Sequence, residues 1–119
     1  IAKAKIFLSD STTMCAEAAV MGVPAIEIDD WFDDFKQYDE LNGKYQLLFG
    51  YGVDNFEIIE SKINELIQEP NLKKIFKERQ EFMLTEKIDA SAFLLWMIKN
   101  YPESSKEFFA DTTTQLKFR

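Results

Sequence analysis

The chain has 119 residues, enough for one core, and its 46% hydrophobic and 29% charged content marks it as globular rather than disordered. Lys and Arg total 14 against 21 Asp and Glu, a formal charge of -7, and no basic cluster with interleaved aromatics offsets it; nucleic-acid binding drops out as a leading function. The absence of histidine removes Ser-His-Asp and Cys-His nucleophile pairs and His-ligated metals, and the one cysteine, Cys15, builds neither an internal disulfide nor a metal site alone.

Ala4 to Leu8 reads as a short buried strand, closed by Ser9-Asp10-Ser11. Thr12 to Met21 is rich in alanine and methionine and predicts a helix, with Ser11 or Thr12 as N-cap and Gly22 and Pro24 as its stop. Val23 to Ile28 reads as a second buried strand. Strand, helix and strand within so short a span make a βαβ unit, hence two parallel strands and a right-handed crossover. Asp29 to Asn42 is an acidic loop leading into a short helix. Tyr45 to Phe49 predicts a third strand, ended by Gly50-Tyr51-Gly52.

Beyond that the pattern turns helical. Phe56 to Gln68 places Ile58, Ile59, Ile63, Leu66 and Ile67 on one stripe. Pro70 breaks the run, and Asn71 opens a mixed-charge helix to about Leu84. Asp89 is the expected N-cap of a helix from Ala90 to Asn100, stopped by Pro102, and a last turn or two spans Glu103 to Ala110 before a polar tail. Phe93 to Ile98 is apolar nearly all round, which predicts a buried helix. The expected fold class is α/β: a small parallel Rossmann-type sheet of about three strands with a helical C-terminal half. A sheet this thin needs helices on both faces or further strands before Ile1.

The stretch with chemical content runs from Ser9 into the first helix. Ser11, Thr12 and Thr13 set three hydroxyls at a helix N-terminus, where unpaired N–H groups and the helix dipole favour an anion. In open α/β sheets ligands bind at this end of the strands. Glu17 lies one turn beyond Thr13 on the same face, within reach of ligand hydroxyls. The same residues also suit plain helix capping. Cys15 reads as a small helix residue. Asp29-Asp30-Trp31-Phe32-Asp33-Asp34 imitates an aspartate-rich magnesium motif, but it follows a strand in a short α/β chain, and a solvated acidic loop fits better. Trp31 and Phe32 would anchor that loop. Gly50-Tyr51-Gly52 lacks the third glycine of a dinucleotide fingerprint and counts as a turn.

Asp10-Ser11-Thr12-Thr13, then Glu17-Ala18-Ala19, then Gly22-Val23-Pro24-Ala25 resembles the Asp-Ser-Gly-Gly…Glu-Ala…Gly-x-Pro pattern of UDP-N-acetylglucosamine 2-epimerases and related GT-B-fold glycosyltransferases. Glu86 to Phe93 and Asn100 to Ser104 are similar to a branch found with bacterial surface-polysaccharide genes. The resemblance implies that Ser11, Thr12 and Thr13 face the diphosphate of UDP or a UDP-sugar and that Glu17 faces the ribose. It implies no metal and no other cofactor, because helix N-terminus and side-chain donors offset the charge of the leaving diphosphate. It also implies that the chain is the C-terminal part of a two-domain protein, with residues 1–53 a βαβ nucleotide-binding region, residues 54–119 a helical region, and the N-terminal domain a missing partner. The Gly-Gly pair is Thr12-Thr13 here, and where the epimerases carry an Arg after the second strand this chain has Glu27, Asp29 and Asp30.

No apolar run approaches the roughly 20 residues of a transmembrane helix. With a single cysteine, this predicts a reduced, cytoplasmic setting. The apolar C-terminal helices are the expected face for the missing domain or for a homodimer. The reading from another functional class is a non-catalytic α/β interaction module, in which the same hydroxyls only cap a helix.

Overall fold

The computed structural model describes residues 1–30 and 39–119. They fall into two compact units, Ile1–Phe82 and Met83–Arg119. The first holds a three-stranded parallel sheet, with β1 (Phe7–Ser9), β2 (Ala25–Ile28) and β3 (Leu48–Tyr51) side by side in chain order. Register pairs Ser9 with Glu27 and Glu27 with Gly50, so these three residues form one row near the carboxyl ends of the strands.

Helices cover both faces, as a parallel sheet requires. On one face lies α1 (Thr12–Val20), which buries Cys15, Ala18 and Ala19, the i, i+3, i+4 stripe of a helix seated on a sheet. Its small side chains allow close approach. The helix ends in a Schellman arrangement: Val23 N–H donates to Ala18 O at 3.0 Å and Gly22 N–H to Ala19 O at 2.9 Å. Gly22 has φ +74°, and a Cβ there would meet Gln80 Oε1 at 3.1 Å. Glycine is thus needed for both the left-handed turn and the space.

On the other face lie α2 (Phe56–Gln68) and α3 (Leu72–Glu86). Phe76 of α3 meets Phe49 of β3 edge-to-face at 6.4 Å, and Lys62 of α2 lies 4.5 Å over the Phe49 ring. Ile59 and Leu66 of α2 are buried, whereas Ile58 and Ile67 are about half exposed. The apolar stripe of α2 is therefore narrower than its isoleucines suggest.

The helices match the expected spans closely, and the strands differ more. β1 starts at Phe7 rather than Ala4, where its first ladder bond, Phe7 N–H to Pro24 O at 2.9 Å, becomes available. β3 runs Leu48–Tyr51 rather than Tyr45–Phe49, so Gly50 and Tyr51, expected in a turn, pair in the sheet with Glu27 and Ile28. Gln46 has φ 51°, which breaks any extended run through it, and Arg79 holds that kink by donating to Gln46 O at 2.8 Å and Gln46 Oε1 at 3.0 Å. Before it, Glu40–Lys44 forms a π-helical turn where the sequence suggested the start of a helix. Trp31, Phe32, Asp33 and Asp34 lie outside the described residues.

The second unit contains α4 (Ala90–Lys99), α5 (Glu103–Ala110) and a 3₁₀ segment, Thr112–Phe118, in place of the expected polar tail. Asp89 caps α4 as anticipated, its Oδ1 accepting from Ala92 N–H at 2.9 Å. Asp111 caps the 3₁₀ segment in the same way through Thr113 N–H at 2.9 Å. Phe118 then reaches Phe93 and Trp96, with ring centroids 5.7 and 5.5 Å apart, and Phe108 completes the cluster 5.3 Å from Phe93. The expectation that α4 is buried is corrected. One side of it joins this aromatic cluster, while Leu94, Leu95 and Ile98 are 56%, 53% and 74% exposed. An eight-residue partner helix and a short 3₁₀ segment are too small to enclose it.

Candidate functional site: the start of α1

All three strands run the same way, so Ser9, Ile28 and Tyr51 end at one edge of the sheet, and α1 begins there. Ser11 occupies the N-cap position in extended conformation, with φ -95° and ψ 105°, yet its hydroxyl caps nothing. Its own N–H turns back to Ser9 Oγ at 3.0 Å, which closes the turn, and Ser11 O accepts the first helical bond from Cys15 N–H at 2.9 Å. No side chain among the described residues caps the leading N–H groups of α1. A helix start of this kind suits an anion.

The four residues expected at the site divide into two sets. Ser11 is half-buried, while Thr13 and Glu17 are exposed, with Glu17 one turn beyond Thr13 on the outer side of α1. Thr12 turns inward. It lies three residues before Cys15, on the stripe that faces the sheet, and its Oγ1 makes a short hydrogen bond to Glu27 Oε1. Residues 25 and 27 share a face of β2, so the alternation that buries Ala25 against α1 carries Glu27 under the same helix.

Glu27 is the group that reading the sequence for motifs does not place in the site. It is 0% exposed, and its Oε2 has no hydrogen-bond partner among the described residues. Burial pushes its carboxyl above the ordinary range, the Thr12 hydrogen bond opposes this, and the charge of Asp29 adds to the rise. The sequence carries only a weak signal for it: a glutamate between Ile26 and Ile28 in an otherwise apolar strand.

Cys15 is sealed beneath Glu27. Its Sγ lies 3.6 Å from Ile26 O and 3.7 Å from Ser9 O, and burial first, then the charge of Glu27, pushes the thiol up to about 12. The expected result is that Cys15 stays unmodified by a thiol-reactive dye in the native protein and reacts at once in denaturant. Native-state labelling at the rate of a free thiol would show that α1 lifts readily from the sheet.

Asp30 anchors the adjoining edge. Its Oδ1 accepts from Val53 N–H at 2.9 Å, and a Cβ on Gly52 would stand 3.1 Å from that same oxygen. The described residues include no group of three or more acidic or thiol side chains able to hold a metal. No protein-family model, curated protein or solved structure matches this chain.

Proposed function

We propose that the start of α1 binds the diphosphate of UDP or a UDP-sugar, and that the chain is the nucleotide-binding part of a GT-B-like glycosyltransferase or sugar-nucleotide enzyme. The setting is bacterial surface-polysaccharide biosynthesis in the cytoplasm. One observation supports this most: a helix start that no side chain among the described residues caps, at the carboxyl edge of a parallel sheet, with Ser11, Thr13 and Glu17 on its accessible side. The Ser11 and Thr13 hydroxyls and the leading N–H groups donate to the phosphates. Glu17, which accepts hydrogen bonds when ionised, takes the ribose hydroxyls. No helix among the described residues is long and apolar enough to cross a membrane, in keeping with an enzyme of soluble precursors.

The expected result is that UDP titrated into the chain shifts the amide resonances of residues 11–17 saturably. Glu17→Ala should weaken that binding about tenfold, the loss of roughly 1.4 kcal/mol expected for a charge-assisted hydrogen bond. Absence of shifts at about 10 mM UDP removes the nucleotide reading. The second reading, a non-catalytic interaction module, draws on the exposed Leu94, Leu95 and Ile98 of α4 and would then take its place.

A further inference from the structure

Glu27 and Thr12 share one hydrogen bond, and its direction decides what Thr12 offers to a ligand. A threonine hydroxyl has a single proton to donate. When Glu27 is ionised, Oε1 takes that proton, and Thr12 presents only lone pairs to the start of α1. Lone pairs repel a phosphate oxygen. When Glu27 is neutral, the bond reverses: the carboxylic O–H donates to Thr12 Oγ1, and the Thr12 hydrogen is free to turn outward.

We propose that Glu27 is a positioning residue for anion binding at the start of α1: as the neutral acid it donates to Thr12 Oγ1 and so makes the Thr12 hydroxyl a donor to the bound diphosphate. This deepens the nucleotide reading and rests on it for the identity of the ligand. Binding then takes up one proton from solvent, held on Glu27 Oε1.

The surroundings of Glu27 favour the neutral acid. The side chain is fully buried, and among the described residues Oε2 has no partner, so ionisation would leave negative charge in the interior with the Thr12 hydroxyl as its one donor. With the proton on Oε1, the unpaired Oε2 is a carbonyl oxygen, which is far less costly to bury. Among the described residues, the groups facing it bring no positive charge. From α1 come Thr12 and the Cys15 thiol, from the turn before α1 comes Asp10 beside that thiol, and from the end of β2 comes Asp29. β3 places Gly50 alongside in register, with nothing to titrate. Among the described residues, the N-terminus of α1 supplies the positive field at this spot, and an anion bound there offsets it. Bound anion and ionised Glu27 thus oppose each other.

The test follows the Glu27 carboxyl carbon by NMR across pH in the full chain, alone, with inorganic pyrophosphate, and with UDP, the resonance being assigned by its loss in Glu27→Gln. Pyrophosphate is expected to raise the Glu27 midpoint. The affinity of the wild type relative to Glu27→Gln, whose amide N–H donates at every pH, should fall by up to about tenfold per pH unit between the free and the pyrophosphate-bound Glu27 midpoints and level off above the higher one. Taking the ratio removes the titration of pyrophosphate itself. A midpoint unmoved by bound pyrophosphate, or a ratio constant with pH, overturns the proposal. UDP shifting residues 11–17 with Glu27 unaffected sinks this inference and leaves the nucleotide reading. Pyrophosphate coupled to Glu27 without UDP binding keeps the inference and removes the nucleotide. Binding of neither rejects both.

Discussion

Phe76→Ala is expected to destabilise the sheet-bearing unit by about 3–5 kcal/mol, a large share of the total stability of a unit this size. Phe76 is 2% exposed and is the side chain by which α3 meets β3, with its ring edge-to-face against Phe49 at 6.4 Å. The Arg79 guanidinium lies 4.9 Å over the same ring while holding the Gln46 kink, so truncation also removes the apolar platform beneath that arginine. Phe76 also lines an open pocket of about 480 Å³ beside Phe49, Leu66 and Leu72, and its removal enlarges that space. Phe56→Ala is the matched control. Phe56 starts α2, is 71% exposed, and should change stability by no more than about 0.5 kcal/mol. Urea unfolding followed by far-ultraviolet circular dichroism distinguishes the two. Equal effects would mean that α3 is not seated on the sheet through Phe76.

The helices were legible in the sequence because their signals are local. Asp89 before an apolar run, Pro70 and Pro102 after others, and Gly22 at a helix stop each act within a turn or two of the chain, and α2 and α5 occupy the expected residues. The strand limits depend on partners distant in sequence. β1 cannot begin before β2 supplies an acceptor at Pro24 O, and Tyr45 to Leu47 is apolar enough for a strand until Arg79, 33 residues on, bends the backbone at Gln46. The apolar helix α4 misled for a related reason: composition reports what a helix would bury, while the amount buried depends on the size of what surrounds it. The Phe118 contact, which turns a polar tail into a 3₁₀ lid over Phe93, is likewise invisible to a local pattern.

At the proposed site, the sequence reading treated the hydroxyls of the turn alike. Ser11, Thr12 and Thr13 are adjacent, but a helix rotates each residue about 100° from the last, so one of three faces the sheet. The stripe of Cys15, Ala18 and Ala19, extended back three residues, selects Thr12. Glu27 was visible as an acidic residue in an apolar run, yet nothing local fixes which face of β2 it occupies. Only the register of Ser9, Glu27 and Gly50 under α1 turns an acidic residue in a strand into a buried acid at a helix start.

That burial has a consequence for the unliganded protein, seen in how stability changes with pH. The folded-state carboxyl of Glu27 is held above the ordinary range, chiefly by burial. Between the unfolded and the folded values the native chain binds a proton that the unfolded chain has released, so raising pH through this window costs stability. Asp111, whose carboxyl is held below the ordinary range by its hydrogen bonds from Thr113, contributes in the opposite direction, so the total profile alone does not isolate the effect. The difference between wild type and Glu27→Gln does. The variant keeps the shape and a donor to Thr12 but has no proton to lose, so its stability relative to wild type should grow as pH rises from the ordinary carboxylate range. The slope should approach about 1.4 kcal/mol per pH unit where the proton difference is complete, then level off once Glu27 is ionised in both states. Urea midpoints from about pH 4 to about pH 8 measure it. A difference that stays flat over that range would mean that the carboxyl finds a compensating charge, and the buried orphan oxygen at the start of α1 would no longer explain the chemistry of the site.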